Sequence, residues 1–187
     1  MKKVTQWMSL MLAGLCTQQC TAADYIFDKV GQHVFISFKA SHLGYSYILG
    51  HFEDFNGRFT YDAADPGSST ASVTIDVKSL DTDHSERDKH LRGPEYFDVD
   101  ANPKISFTST SYAGNKTEGT LTGDLNFCGV DQKVDIAVSK IGEGKDPWGG
   151  YRSGFEGSVT LTAADYGLPA WIGDVEVYLV VEGVLVE

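Results

Sequence analysis

Residues 34–40 read VFISFKA, and this stretch decides the fold class. Apolar residues occupy positions 34, 36, 38 and 40, and mostly polar residues stand between them. Residues 71–78, ASVTIDVK, repeat the pattern. A period of two is typical of a β-strand with one dry face and one wet face, and such strands form antiparallel sheets. The two stretches therefore predict an all-β protein.

The same alternation continues along the rest of the chain. It predicts six more strands, at residues 57–62, 104–110, 121–127, 134–138, 155–161 and 175–181, with a possible ninth at 25–28. Turn signals separate the strands at Asn56-Gly57, Asp65-Pro66-Gly67, Ala113-Gly114-Asn115, 142–150 and 167–169. Many evenly spaced strands without a break in composition predict a single sandwich or closed barrel.

Residues 81–98, DTDHSERDKHLRGPEYFD, depart from this alternation. Asp83 and Glu86 match a capping box, and Gly93-Pro94 would end a helix. We therefore predict a helix of about two turns between two strands, covering one end of a barrel. Its basic residues from Arg87 to Arg92 fit two interpretations. They form a solvated face with local ion pairs, or they contact a polar head group at the barrel mouth.

The first 22 residues read as a cleaved signal peptide. Lys2 and Lys3 precede an apolar run at 8–16, and small residues follow; the run is too short to span a bilayer. We expect cleavage after Ala22, with Ala23 as the alternative, which leaves one domain at 23–187. That mature chain has 13 basic and 26 acidic residues, a formal charge of −13. This charge disfavours nucleic acid and anionic membrane surfaces as partners.

Motifs for metal binding or catalysis are missing from the sequence. The five histidines show no HxH or i, i+4 spacing, so we expect no metal site and no cofactor. No GxSxG elbow or glycine-rich phosphate loop is present, and we expect no catalytic residue. Cys128 is the single cysteine left after cleavage, and we predict a half-buried strand residue without a disulfide. A redox thiol is the alternative, which the missing CxxC motif disfavours.

The segment around the predicted helix resembles the YceI-like family. The resemblance rests first on Ser79-Leu80-Asp81-Thr82, Arg87-Asp88-Lys89-His90-Leu91-Arg92 and Glu95-Tyr96-Phe97-Asp98. Further matches are His42-Leu43-Gly44-Tyr45-Ser46, Gly57-Arg58-Phe59-Thr60, Gly123-Asp124-Leu125, Asp146-Pro147-Trp148-Gly149-Gly150 and Gly154-Phe155-Glu156. The chain departs from the family at residues 131–133 and at 168–174, which carry Trp171. If the second segment rims the cavity, the ligand differs from the family's usual one.

The resemblance implies a lipocalin-like, antiparallel, eight-stranded β-barrel in the periplasm. It also implies a long isoprenoid or quinone-like amphiphile in the lumen, no enzymatic activity, no stable membrane insertion and a possible homodimer. Dry-face side chains would line the tunnel, and the helix with His42 and Tyr45 would frame its mouth. We expect ligand contacts from Phe38, His42, Tyr45, Tyr47, Phe59, Arg87, His90, Leu91, Phe97, Phe107 and Phe127.

Two alternatives belong to other functional classes. An enzyme acting on a lipid-linked substrate would use His42 or His90 as a general base and would place a titratable cluster deep in the cavity. A stress-related interaction module would have a lumen filled by side chains, because eight-stranded barrels can be either filled or open for one ligand.

Overall fold

The structure is a computed structural model that describes residues 22–186. The predicted signal peptide lies outside the described residues except for Ala22. Within this range, no helix is long and apolar enough to cross a lipid bilayer.

Eleven β-strands and one α-helix form the described chain. The strands are β1 (Ala23–Phe27), β2 (Phe35–His42), β3 (Ser46–Phe52), β4 (Phe55–Tyr61), β5 (Thr70–Asp76), β6 (Leu80–Asp81), β7 (Lys104–Gly114), β8 (Glu118–Phe127), β9 (Val130–Lys145), β10 (Tyr151–Thr162) and β11 (Asp174–Leu185). Helix α1 (Ser85–Leu91) lies between β6 and β7. Single 3₁₀ turns occur at Pro66–Ser68, Val77–Ser79, Ala163–Tyr166 and Ala170–Ile172.

The strands close into an antiparallel barrel in the order β1-β4-β5-β7-β8-β9-β10-β11, with β11 pairing again with β1. At three positions in this ring, two short strands lie end to end and together take the place of one long strand. β11 pairs with β2 through residues 175–180 and with β1 through residues 183–185. β3 continues β4, and β6 continues β5, since β3 pairs with both β2 and β6. The prediction of an eight-stranded barrel with one short helix is thereby confirmed.

The period of two places one set of side chains inside the barrel. Ile36 stands opposite Leu179, and Phe107 stands opposite Leu125; of these four, Ile36, Phe107 and Leu125 are buried. Alternate residues such as Ser37 and Tyr178 face outward on the same strands. Because each inward row meets inward rows on both neighbours, the apolar residues form one continuous interior.

Three local predictions about the strands were wrong. The turn predicted at 142–150 begins only after Lys145, because β9 continues to that residue. Asn56-Gly57 is not a turn but lies within β4, where a Cβ on Gly57 would stand 2.3 Å from the Phe27 ring. Glycine is therefore required there because the ring fills the space of a side chain. Cys128 is half-buried but lies in the two-residue turn between β8 and β9, with φ of 51°, followed by Gly129 with φ of 74°.

The predicted cap of the helix was also wrong by one residue. His84, not Asp83, caps α1, and its Nδ1 accepts a hydrogen bond from the Arg87 backbone N–H at 3.2 Å. Asp83 has φ of 59° and donates its N–H to Asp81 Oδ1 at 2.7 Å. This Asx turn bends the chain one residue before the helix begins.

Candidate functional site

The barrel encloses a cavity of about 300 Å³. Its wall is made of inward-facing side chains from strands all around the ring, most of them aliphatic or phenylalanine. Glu156 is the single acidic residue among the lining residues of the described chain, and none of those residues is Lys, Arg or His. Such a wall offers a long apolar group burial from water and offers a charged group no counter-ion.

An aromatic cluster, which we call the aromatic plug, consists of Tyr25, Phe59, Tyr61 and Phe155 and lies at the end of the barrel away from α1. Tyr25 stacks on Phe59 with ring centroids 4.8 Å apart, and Phe155 contacts Phe59 and Tyr61 edge-on at 5.4 and 5.3 Å. Lys140 covers the plug, with Nζ 3.8 Å from the centroid of the Tyr61 ring and 2.8 Å from Glu143. Burial raises the pKa of Tyr25, so its hydroxyl stays neutral.

The opposite end of the barrel is covered by α1 and by the two 3₁₀ turns before β11. Phe97 contacts Phe127 at 5.4 Å between ring centroids, and Phe127 contacts Tyr166 at 5.1 Å. Leu91, Leu168 and Ile172 complete this cover and line the cavity. We call this the helix end. The helix end is therefore covered by segments outside the sheet, whereas the residues of the aromatic plug all lie in strands.

A buried hydrogen-bond network holds α1 in this position. The Thr82 N–H and hydroxyl both donate to Asp88 Oδ1, at 3.0 and 2.5 Å, and Thr82 and Asp88 are both buried. The Arg87 Nε–H donates to the Thr82 hydroxyl at 2.7 Å, and the Arg92 guanidinium donates to the Leu80 carbonyl. Thr82 and Asp88 are thereby paired inside the protein, whereas the Arg92 Nε–H is buried without a partner among the described residues. The paired groups fix the helix against β6.

Six of the eleven residues predicted to contact a ligand line the cavity. They are Phe38, Phe59, Leu91, Phe97, Phe107 and Phe127. The other five, His42, Tyr45, Tyr47, Arg87 and His90, are not among the lining residues. Contact between any of the eleven and a ligand stays a prediction.

The positions and contacts of the five explain this division. His42 is exposed at the end of β2. Tyr45 is 87% exposed, and Tyr47 lies on the outer face beneath Lys39, whose Nζ is 4.7 Å from its ring. The His90 side chain is exposed and contacts Tyr96 edge-on. The Arg87 guanidinium is directed to Thr82 rather than to the lumen.

Several lining residues were missed in the sequence because they lie outside the clearest alternation. Leu168 and Ile172 lie near Trp171, in the segment where the chain departs from the family pattern. That departure could have indicated that this segment borders the cavity. Tyr112 and Tyr61 line the plugged end. Their alternation with polar neighbours could have placed them on the inner face.

The sequence is similar to those of known proteins over nearly its whole length. The family model for the YceI-like domain matches residues 25–183. A UPF0312 protein of Pseudomonas aeruginosa is 45% identical over 188 residues, 98% of each chain. A UPF0312 protein of Ectopseudomonas mendocina is 49% identical over 172 residues, 89% of this chain and 90% of the relative.

Solved structures share the barrel at lower identity. BcnA of Burkholderia cenocepacia has a TM-score of 0.74 at 19% identity, covering 83% of this chain and 98% of that one. A polyisoprenoid binding domain from Saccharophagus degradans, implicated in plant cell wall breakdown, has a TM-score of 0.62 at 16% identity, covering 89% and 100%. These two likenesses show the fold, and the family match spans nearly all of the barrel. The chain belongs to the YceI-like family.

Proposed function

We propose that this protein is a periplasmic, non-enzymatic carrier that holds a long-chain isoprenoid, or a similar amphiphilic lipid, in the lumen of its barrel. The observation that carries the proposal is the apolar cavity of about 300 Å³. Ligand cavities in proteins usually measure about 300–1,000 Å³, so this one is large enough for a ligand. Its wall suits a hydrocarbon tail.

The relatives support the class of ligand. The Saccharophagus degradans domain that shares this fold is described as polyisoprenoid binding. By analogy the tail in this chain is isoprenoid. The predicted N-terminal signal peptide, removed after Ala22 or Ala23, supports a periplasmic location for the carrier.

We place the head group and the route of exchange at the helix end. That end is covered by α1, which the Thr82–Asp88 network holds, and by the short 3₁₀ turns at Ala163–Tyr166 and Ala170–Ile172. The two turns open more readily than a hydrogen-bonded sheet. At the plugged end, stacked rings and Lys140 above the Tyr61 ring occupy the space inside the strands. A tail that enters at the helix end therefore points its terminus at the plug.

A neutral head group fits this site better than a pyrophosphate. The described cavity wall contains no Lys, Arg or His, so an anionic head drawn into it would lack a cation. The mature chain adds general repulsion through its charge of −13. A quinone or an alcohol head satisfies both conditions.

The composition of the wall also bears on the two alternatives. An enzyme with His42 or His90 as base needs that imidazole beside the substrate, and neither residue is among the lining residues. An interaction module needs a filled lumen, whereas the lumen encloses a cavity. Both observations favour a carrier.

Native mass spectrometry of protein purified from a periplasmic fraction, followed by lipid extraction, tests the proposal. We expect a non-covalent adduct whose mass matches an isoprenoid lipid and disappears after extraction. Protein that carries no lipid and binds no added prenol would contradict it. Light scattering on the same sample tests the homodimer that the family resemblance implies.

A further inference from the structure

The outer face of the barrel carries a histidine and two carboxylates in one place, away from the lumen. His51 is in β3, Glu53 follows directly after β3, and Asp81 is in β6. One potential ligand atom from each lies within 4.8 Å of the other two. We infer that these three side chains, the His51 cluster, form a binding site for a divalent transition-metal ion of the Zn²⁺ type.

The backbone arranges the three ligands before any ion binds. His51 and Asp81 stand directly opposite each other in the antiparallel pairing of β3 with β6. Glu53 is two residues beyond His51, and its backbone N–H donates to the Ser79 carbonyl at 3.1 Å, which holds it beside the start of β6. Ligands about 2.1 Å from a tetrahedral ion lie roughly 3.4 Å apart, a distance that small side-chain rotations would reach.

In the described part of the chain, the two carboxylates of the cluster have no protein counter-ion. Within residues 22–186, no Lys or Arg forms an ion pair with Glu53 or Asp81. One oxygen of Asp81 accepts the Asp83 N–H, and the second carboxylate oxygen remains available. Two carboxylates side by side favour a cation between them.

A second cluster of the same composition shows the contrast. Asp28, His33 and Glu182 also bring their ligand atoms within 4.8 Å of one another. There the Arg152 guanidinium donates to both Asp28 and Glu182 at 2.6 Å. A cation of the protein already occupies that cluster, so it leaves no place for a metal ion.

The donor set selects the kind of ion. Imidazole nitrogen suits Zn²⁺, Ni²⁺ or Cu²⁺, whereas Mg²⁺ and Ca²⁺ prefer sites made entirely of oxygen. Three protein ligands leave the remaining coordination positions to water, because the cluster is on the surface. An ion at this site bridges β3 and β6 and so ties the segment that carries α1 to the barrel wall.

Calorimetric titration with ZnCl₂ tests the inference, on protein purified without a polyhistidine tag and in a buffer that does not chelate metal. We expect His51→Ala and Glu53→Gln each to weaken binding at one site by about tenfold or more. His33→Ala and His90→Ala, which remove histidines of the other cluster and of α1, are matched controls and should leave that site unchanged. MgCl₂ and CaCl₂ should give no comparable heat.

A thermal melt of the same variants provides the second measurement. Zn²⁺ should raise the melting temperature of the wild type and of the His33→Ala variant, and should leave that of folded His51→Ala unchanged. Zn²⁺ binding and a melting shift that survive His51→Ala, or that are lost equally in His90→Ala, would overturn the site. So would the absence of Zn²⁺ binding to the wild type.

Discussion

Filling the deep end of the cavity should shorten the lipid tail that the barrel can hold. Ala71 lines the cavity and stands opposite Phe59 of the aromatic plug. Ala71→Phe adds about six carbon atoms at the closed end, and burial contributes about 0.8 kcal/mol per methylene. A tail that loses six buried carbons therefore loses at most about 5 kcal/mol.

Ordering costs reduce this ceiling, because a shorter bound tail also fixes fewer rotatable bonds. We therefore expect a tail long enough to fill the wild-type cavity to bind at least about tenfold more weakly, or about 1.4 kcal/mol. Shorter tails that stop before the plug should bind almost unchanged. The plot of affinity against tail length should thus level off about one isoprene unit earlier than in the wild type.

Competition of a series of prenols against a fluorescent lipid probe measures this effect. The matched control is Ala137→Phe, which adds the same ring to the exposed face of β9. Melting temperatures of both variants exclude loss of fold as the cause. The reasoning would be refuted if folded Ala71→Phe bound all prenols like the wild type, or if Ala137→Phe weakened binding equally.

Three further predictions concern stability and reactivity. Burial, assisted by Asp98, raises the pKa of the Cys128 thiol to about 12; iodoacetamide at pH 8 should therefore modify it only after urea unfolding, as followed by mass spectrometry. Asp88→Ala removes the acceptor of two buried Thr82 donors and should lower the free energy of unfolding in urea by about 2–4 kcal/mol, whereas a loss near zero would contradict the network. Burial raises the pKa of Asp28, but hydrogen bonds from Gly31, Arg152 and His33 outweigh it and lower that pKa below its usual value. The ionised Asp28 therefore stabilises the fold above about pH 4. The free energy of unfolding of Asp28→Asn should be lower than that of the wild type by about 1–3 kcal/mol at pH 7, and this difference should shrink as the pH falls below 4. A difference that stays constant with pH would count against this account.

The inward rows of the barrel could be predicted from the sequence because the signal is local. A strand with one dry face repeats every two residues, and residues 34–40 and 71–78 show this without reference to any other part of the chain. Phe38 and Phe107 were assigned to the lumen on that basis, and both line the cavity. The family resemblance then supplied the closure into a barrel.

Strand β3 was missed because its pattern is ambiguous. Tyr47 and Leu49 are apolar yet face outward, while Ile48 and Phe52 are also apolar. Gly50 interrupts the inward row, since a Cβ there would stand 2.3 Å from the Phe38 ring. The large side chain that fills this space comes from the neighbouring strand, so the local sequence cannot reveal it.

The role of the basic helix also depended on a partner outside it. Arg87 and His90 lie three residues apart on a seven-residue helix, and nearly every position of α1 is polar. Without an apolar stripe, the sequence does not say which side chains face the barrel. Thr82 decides the direction of Arg87 by accepting its hydrogen bond.

The lumen and the helix end are therefore encoded differently in this chain. The lumen that would hold the tail is built from alternation within single strands, which is readable in the sequence. The helix end and the outer surface depend on contacts between distant segments, as when the pairing of β3 with β6 sets His51 opposite Asp81. Such pairing is fixed only by the register of the folded sheet. The apolar lining of the lumen follows from the pattern of residues and the isoprenoid tail from the family resemblance, whereas recognition of a head group has to be established at the helix end by binding experiments.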